Sequence, residues 1–284
     1  MLTKPRIIEL LLATALPTLV LAEGGVPSLL VIVATLVGGA LSAGGANAIN
    51  CYVDRDIDQL MYRTRNRPVP AGSVAPERAL VFGIILGVIS FIGMTLTLNL
   101  LAASLSLAGL LFYVFVYTLW LKRSTAQNIV IGGAAGAMPP LVAWAAVREE
   151  VALAPVILFA IVFFWTPPHF WALALRFKDD YARAGIPMLP VVSGERETLK
   201  QSLIYAVLLI PVSLSLMLTG EVGWVYGIIA GALGVAFAYH CWKLQKSYSA
   251  RQASVVFRFS ILYLTVVFLA LIADVAASGL TDRL

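Results

Sequence analysis

Apolar residues in this chain come in long runs, and polar residues gather in the intervals between them. A run of roughly 20 apolar residues, wound as α-helix, matches the hydrocarbon thickness of a bilayer. Such runs lie at 7–22, 27–50, 79–98, 100–120, 127–147, 153–174, 202–219, 222–242 and 258–278. The pattern predicts an all-α, polytopic membrane protein of about nine transmembrane helices, with residues 1–284 forming one integral membrane domain. The first run is the weakest, being short, with Glu9 near one end and Pro17 in its middle. Lys4 and Arg6 before it also fit the start of a signal peptide, but no small-x-small cleavage site follows. It is read as a retained helix.

Composition strengthens this picture. Hydrophobic residues make up 60% of the chain and charged ones 12%, at a mean hydropathy of +0.91. Soluble domains carry roughly 25% charged residues. One water-soluble core could not hide so much apolar surface, so the bilayer is part of the solvent. The two cysteines, Cys51 and Cys241, fall at helix ends predicted to face the cytoplasm, and offer neither a disulfide framework nor a zinc pattern.

The formal charge of +5 is a topology signal. With nine spans and a cytoplasmic N-terminus, 18 of the 20 Lys and Arg residues fall inside, and only Arg148 and Arg283 fall outside. Cytoplasmic loops collect Lys and Arg in this way, so no nucleic-acid partner is expected. Outside connections are short. Two inside connections, 51–78 and 175–201, are long, dense in charge and on the same face. Glycine pairs such as Gly38-Gly39, Gly44-Gly45 and Gly132-Gly133 sit inside spans, where small residues let helices approach.

The first long loop holds the first candidate chemistry. At about 100° per residue, Asn47, Asn50, Asp54 and Asp58 lie within roughly 80° of one another, continuing the second span as a polar stripe, while Asp56 points away. An aspartate at mid-bilayer costs about 2.5–3.5 kcal/mol on the insertion scale, so such groups face a cavity or a partner. Oxygen donors at this spacing suit Mg²⁺, which takes carboxylates together with phosphate oxygens and waters. A basic run follows, with Arg63, Arg65 and Arg67 ahead of Pro68 and Pro70. Guanidinium groups match phosphate oxygens in bidentate geometry. Acids for metal beside arginines for phosphate describe a diphosphate site.

These residues, Asn50-x-x-x-Asp54-Arg55-Asp56-x-Asp58 and then Arg63-Thr64-x-x-Arg67-Pro68-x-Pro70, resemble the first signature of the intramembrane prenyltransferase superfamily. The resemblance implies a helical bundle around a central cavity, with a Mg²⁺–diphosphate site at its cytoplasmic end. Many members carry Asp directly after the first Asn; here Cys51 stands there.

The second long loop begins inside a span, at Trp165-Thr166-Pro167-Pro168-His169-Phe170-Trp171. Two prolines are expected to break the helix, a break that membranes tolerate where it lines a cavity. If the helix resumes at His169, then Arg176, Asp180 and Arg183 fall within about 40° of it, with Lys178 pointing away and Asp179 to one side. Asp179 and Asp180 both remain metal candidates, with Asp180 favoured by angle. Arg63, Arg67, Arg176, Lys178 and Arg183 are the diphosphate candidates.

The Pro-Pro-His segment, with Asp179-Asp180-Tyr181-x-Arg183-x-Gly185-Ile186-Pro187-Met188-Leu189-Pro190, is similar to the haem-farnesylating branch of the superfamily. That resemblance implies farnesyl diphosphate as donor and haem b as acceptor, in a bacterial cytoplasmic membrane. It also implies haem A synthase or terminal-oxidase assembly factors as partners, with lipid around the bundle. Asn50, Asp54, Asp58 and Asp180 would carry the catalysis. His169, His240 and Trp171 are the haem-binding candidates, because histidine is a common axial ligand to haem iron. A hydroxybenzoate or quinone-precursor acceptor is the alternative that the first loop alone leaves open. A secondary transporter would place acids near the midplane and show an internal repeat. Here the acids cluster at one edge.

The charge split makes a test. Cysteines introduced at Ser73 and Ser193 should resist an impermeant thiol reagent in intact cells and react in inverted vesicles.

Overall fold

The computed structural model describes residues 2–281, the side chains of Arg6 and of 278–281 excepted, and among these all regular structure is helical. The chain opens with α1 (Pro5–Glu23), α2 (Leu29–Val53), the short α3 (Arg55–Leu60) and α4 (Pro76–Thr97). Next comes α5 (Leu100–Leu111), which runs on as a π-helix over Phe112–Leu121 into a last α-turn, α6 (Lys122–Ser124). Then follow α7 (Asn128–Gly136), α8 (Met138–Arg148), α9 (Leu153–Arg176), and the short α10 (Lys178–Arg183) and α11 (Leu189–Val192). The last three are α12 (Gly194–Leu214), α13 (Trp224–Lys246) and α14 (Ala250–Thr281).

Among the described residues, eight helical stretches are long and apolar enough to cross a membrane, from Leu29–Val53 to Ala250–Ala277. The first predicted span also forms a helix, α1, but it is not one of the eight. It packs against α2, α8 and α14. Outward faces are apolar, as on α4, where Val81, Ile84, Ile85, Val88, Ile89 and Ile92 are exposed. Lipid, unlike water, leaves such a face without penalty.

Proline effects differ from one span to the next. The expected break at Pro167-Pro168 does not occur: α9 is one helix from Leu153 to Arg176 with both prolines inside it and buried. Trp165 and Trp171 are buried around this turn, so neighbouring helices hold α9 on course. Membrane helices tolerate internal proline where neighbouring helices support them. The 127–147 run, in contrast, splits at Ala137 into α7 and α8. Pro139 and Pro140 there sit in the first turn of α8, where a missing N–H costs no helical bond.

The π-helical segment decides what faces inward. On an α-helix, Tyr113 and Lys122 would point to opposite sides. With i→i+5 bonding, about 4.4 residues complete a turn, so Tyr113, Tyr117, Thr118 and Lys122 come to one face. Thr118 and Lys122 are both buried, and the Tyr113 and Tyr117 rings are 5.3 Å apart. Room for Tyr117 comes from Gly132 on α7, where a Cβ would collide with the Tyr117 ring.

At the opposite end of the bundle, α14 supplies a cap to α13. The buried Asp274 carboxylate accepts from the backbone N–H of Gly223 (2.5 Å) and of Tyr226 (3.1 Å). This satisfies two donors that a helix N-terminus leaves free.

Gly132→Ala should displace Tyr117 and lower stability by about 1–3 kcal/mol, the usual cost of overpacking. Gly93→Ala, which meets nothing within 4 Å, should be near neutral. Thermal unfolding in detergent compares the two.

Candidate active site

The first acidic stripe crosses a helix junction without losing register. Asp54 separates α2 from α3, yet its N–H bonds Asn50 O (2.9 Å) and the Asp58 N–H bonds Asp54 O (2.8 Å). The i, i+4 spacing therefore keeps Asn50, Asp54 and Asp58 on one side, and all three are buried, the two carboxylates at 0% exposure. Asp56 faces out and forms a two-pronged pair with Arg123, both contacts at 2.7 Å. The Arg123 hydrogen bonds hold the Asp56 carboxyl down at about 2.

Each buried acid has a cation against it. Lys122 donates to Asp54 Oδ2, which also accepts from Asn50 Nδ2 at 2.7 Å. Arg67 Nη1 reaches both Asp58 oxygens, at 2.9 and 2.7 Å. Thr64 Oγ1 holds the loop by donating to Asp58 O (2.9 Å). Lys4 Nζ donates to Asn50 Oδ1 at 2.6 Å. The segment before α1 is fixed there by Asn47 Nδ2 donating to Thr3 O (3.0 Å). Burial, aided by the positive charges of Arg67 and Lys122, pulls the Lys4 amine down to about 8. Asp54 Oδ1 is buried and has no hydrogen-bond partner; Arg123 Nη2 lies 3.9 Å from it.

The second loop meets the first at this same end. Arg63 Nη2 donates to the Tyr181 hydroxyl (3.3 Å) and its guanidinium lies 5.6 Å from the Phe177 ring centre. Ile57 and Met61 pack with Tyr181, Ile186 and Met188. The α9 helix ends at Arg176 and α10 restarts at Lys178. The expected single stripe from His169 to Arg183 is therefore interrupted at Phe177, because the chain turns there. Instead, Arg176, Asp179, Asp180 and Arg183 line one cleft of about 400 Å³ with Tyr62 and Phe177. Asp180 is the buried member and is paired with Arg183. Lys178 is turned toward Glu195, at 4.0 Å.

The haem-side candidates are dispersed. His169 stacks between Trp165 (4.2 Å) and Phe257 (4.7 Å). His240 sits against Phe259, 4.6 Å away on the α13 side of α14. Trp171, roughly 200° round the helix from His169, is buried and meets Tyr205 edge-on at 5.8 Å. Among the described residues no group of three or more His, Cys, Asp or Glu side chains is spaced to hold a metal alone.

Residues 11–272 match the sequence model of the UbiA prenyltransferase family. The chain belongs to that family. A protoheme IX farnesyltransferase of Symbiobacterium thermophilum is 55% identical over 276 residues, covering 96% of this chain and 92% of that protein. One of the same name from Chloroflexus aurantiacus is 50% identical over 273 residues. That match covers 96% of this chain and 46% of the relative, so the chain spans about half the length of that protein. Solved structures share the fold. A digeranylgeranylglyceryl phosphate synthase structure superposes with TM-score 0.79 at 20% identity, over 96% of both chains. A UbiA homolog from Archaeoglobus fulgidus bound to DMAPP and Mg²⁺ gives 0.71 at 17% identity, over 94% of this chain and 97% of that one.

In this UbiA-family prenyltransferase two cations outside the acidic and arginine motifs, Lys4 and Lys122, stand against the Asn50–Asp54 stripe. Nothing in an α-helical projection turns Lys122 inward; the π-winding does. Lys4 carried a weak signal in its place just ahead of the first apolar run.

Removing one partner of a buried ion pair leaves the other charge uncompensated, at a cost of about 3–5 kcal/mol. Lys122→Met should therefore unfold at markedly lower denaturant than Lys122→Met with Asp54→Asn. A double-mutant cycle on detergent-solubilised protein measures the coupling.

Proposed function

We propose that this chain transfers a farnesyl group from farnesyl diphosphate to a vinyl group of haem b, with addition of water, giving haem O and diphosphate. The observation that carries this reading is the 55% identity, over nearly the whole chain, to a relative named protoheme IX farnesyltransferase. It joins a site whose buried acids and surrounding cations suit a diphosphate. The active-site end then faces the cytoplasm of a bacterial inner membrane, as the 18 inside cations favour. Haem A synthase and terminal-oxidase assembly factors, which use or receive the product, are the proposed protein partners.

The donor set fits Mg²⁺. The buried Asp54 Oδ1 has no hydrogen-bond partner, and Asn50 and Asp58 stand one turn to either side of it. Asn50, Asp54 and Asp58 would hold the ion from the first loop, and Asp180 or Asp179 from the second. When bound, Mg²⁺ withdraws charge from the departing diphosphate. Arg63, Arg67, Arg176 and Arg183, with Lys4 and Lys122, bind and orient the phosphate oxygens, while Lys178 steers from the rim. As preorganised charges they stabilise the leaving group where its charge develops. The C1–O bond of the donor breaks and diphosphate leaves with the electron pair. The vinyl terminal carbon of haem b attacks the allylic cation, and the new cation lies beside the pyrrole. Water adds there and loses a proton, leaving the hydroxyl. Apolar walls delay water until the carbon–carbon bond has formed. On the acceptor side, His169 would meet the porphyrin, and His240 and Trp171 would act as packing walls.

Purified protein incubated with haem b, farnesyl diphosphate and Mg²⁺ should yield a pigment heavier by one farnesyl group and one hydroxyl in the mass spectrum. Asp54→Asn and Asp58→Asn should abolish this product while still inserting, and Asp56→Asn should do less damage. Equal losses at all three would sink the stripe argument. Product from a hydroxybenzoate and none from haem b would favour the alternative acceptor.

A further inference from the structure

His169 sits in an arrangement that fixes which of its nitrogens carries the proton. Its Nδ1 is 2.6 Å from Ser260 Oγ. A serine hydroxyl has one hydrogen to give, and Ser260 Oγ gives it to Phe257 O, also at 2.6 Å. The hydroxyl can then only accept from the ring, so Nδ1 bears the hydrogen and Nε2 carries a lone pair. The opposite tautomer would leave the Phe257 carbonyl facing a hydroxyl oxygen at 2.6 Å with no hydrogen between them.

The surroundings hold the ring in that pose. Ser260 is fully buried, and its carbonyl accepts from Trp165 Nε1 at 2.7 Å. Trp165 then covers one face of the imidazole, at 4.2 Å and 18° between planes, and Phe257 covers the other, at 4.7 Å and 23°. Both contacts come from residues that Ser260 itself bonds. A histidine that serves only packing would be expected to satisfy both nitrogens. Here Nε2 has no partner among the described residues, and it is not among the sealed, unsatisfied polar atoms. The ring thus keeps one nitrogen without a protein partner among the described residues, in plane, with a lone pair on it. That is the geometry by which imidazole enters an axial position of a metalloporphyrin, with the other nitrogen tied by a hydrogen bond.

We propose that Ser260 is a positioning residue: it holds His169 as the Nδ1–H tautomer and so presents Nε2 as an axial ligand to the iron of the acceptor porphyrin. The iron-ligand half of this rests on the haem reading given above; the tautomer half does not. Only two histidines are present, His169 and His240, so His240→Gln leaves a single imidazole to observe.

The test uses ¹⁵N-histidine-labelled full-length protein in lipid, with the tautomer read by solid-state NMR and haem b binding read from the Soret band. In the His240→Gln protein, Nδ1 should be protonated and Nε2 bare, and adding haem b should shift both the Nε2 resonance and the Soret band. Ser260→Thr, which keeps the hydroxyl, should preserve both signatures. Ser260→Ala should mix the tautomers and weaken haem binding by about tenfold, the low end for loss of an outer-shell partner. His169→Ala should remove the Soret shift altogether while leaving diphosphate binding intact. An Nε2–H tautomer in the parent protein overturns the proposal even if haem binds, and leaves the acceptor reading standing. A bare Nε2 with no haem binding overturns the iron-ligand half through failure of the acceptor reading itself. Equal Soret shifts in the parent and in Ser260→Ala and His169→Ala also overturn it, showing haem held elsewhere.

Discussion

Two carboxylates with no solvent exposure, Asp54 and Asp58, stand at one end of a bundle whose outer surface is apolar. Taking ionised groups out of water costs several kcal/mol each unless paired cations and hydrogen bonds compensate. Much of the local structure answers that demand. Arg67 returns from its loop to grip Asp58, Thr64 fixes that loop to the Asp58 carbonyl, and Lys122 comes from a third element to meet Asp54. The residues ahead of α1 fold back so that Lys4 reaches Asn50.

The helix that delivers Lys122 has to change its winding to do so. Ten residues of π-helix give up α-helical geometry, and Gly132 gives up a side chain to make room for Tyr117. Departures of this kind from regular helix cluster at functional sites. The same cations then serve two roles in the proposed reaction. They balance the acids in the free protein and, once metal and substrate arrive, they are already placed around the diphosphate. Preorganisation of this kind avoids reorienting charges during the reaction. Arg63, bonded to Tyr181, ties the two loops together, so the acids on α2 and α3 and the cleft of Asp179 and Asp180 form one region.

The last helix, α14, works at both ends of the bundle. Near one end Asp274 caps α13, and farther along Ser260 organises Trp165 and His169 on α9. One transmembrane helix therefore meets both the start of α13 and an imidazole on α9. Neither contact is local in sequence.

Local pattern along the chain carries the helical class, the membrane setting, the polar stripe of Asn50, Asp54 and Asp58, and the places of the spans to within a few residues, except that α12 and α14 begin well ahead of the 202–219 and 258–278 runs. The reason is that each of these depends on short-range periodicity and on the solvent that a segment must face. Apolar runs set the helices, and i, i+4 spacing sets a stripe whichever neighbours it meets. Tertiary structure decided what local rules could not. Pro167 and Pro168 stay within a continuous α9 because neighbouring helices hold it; the stripe expected from His169 to Arg183 is cut at Phe177 because the chain turns into α10. Lys122 faces inward only through a π-segment packed on Gly132. Lys4, Arg67 and Ser260 acquire their roles from partners that lie 46, 9 and 91 positions away. Pairing of buried charge and orientation of a ring are properties of assembled neighbours, and the linear pattern carries them only after the chain has folded.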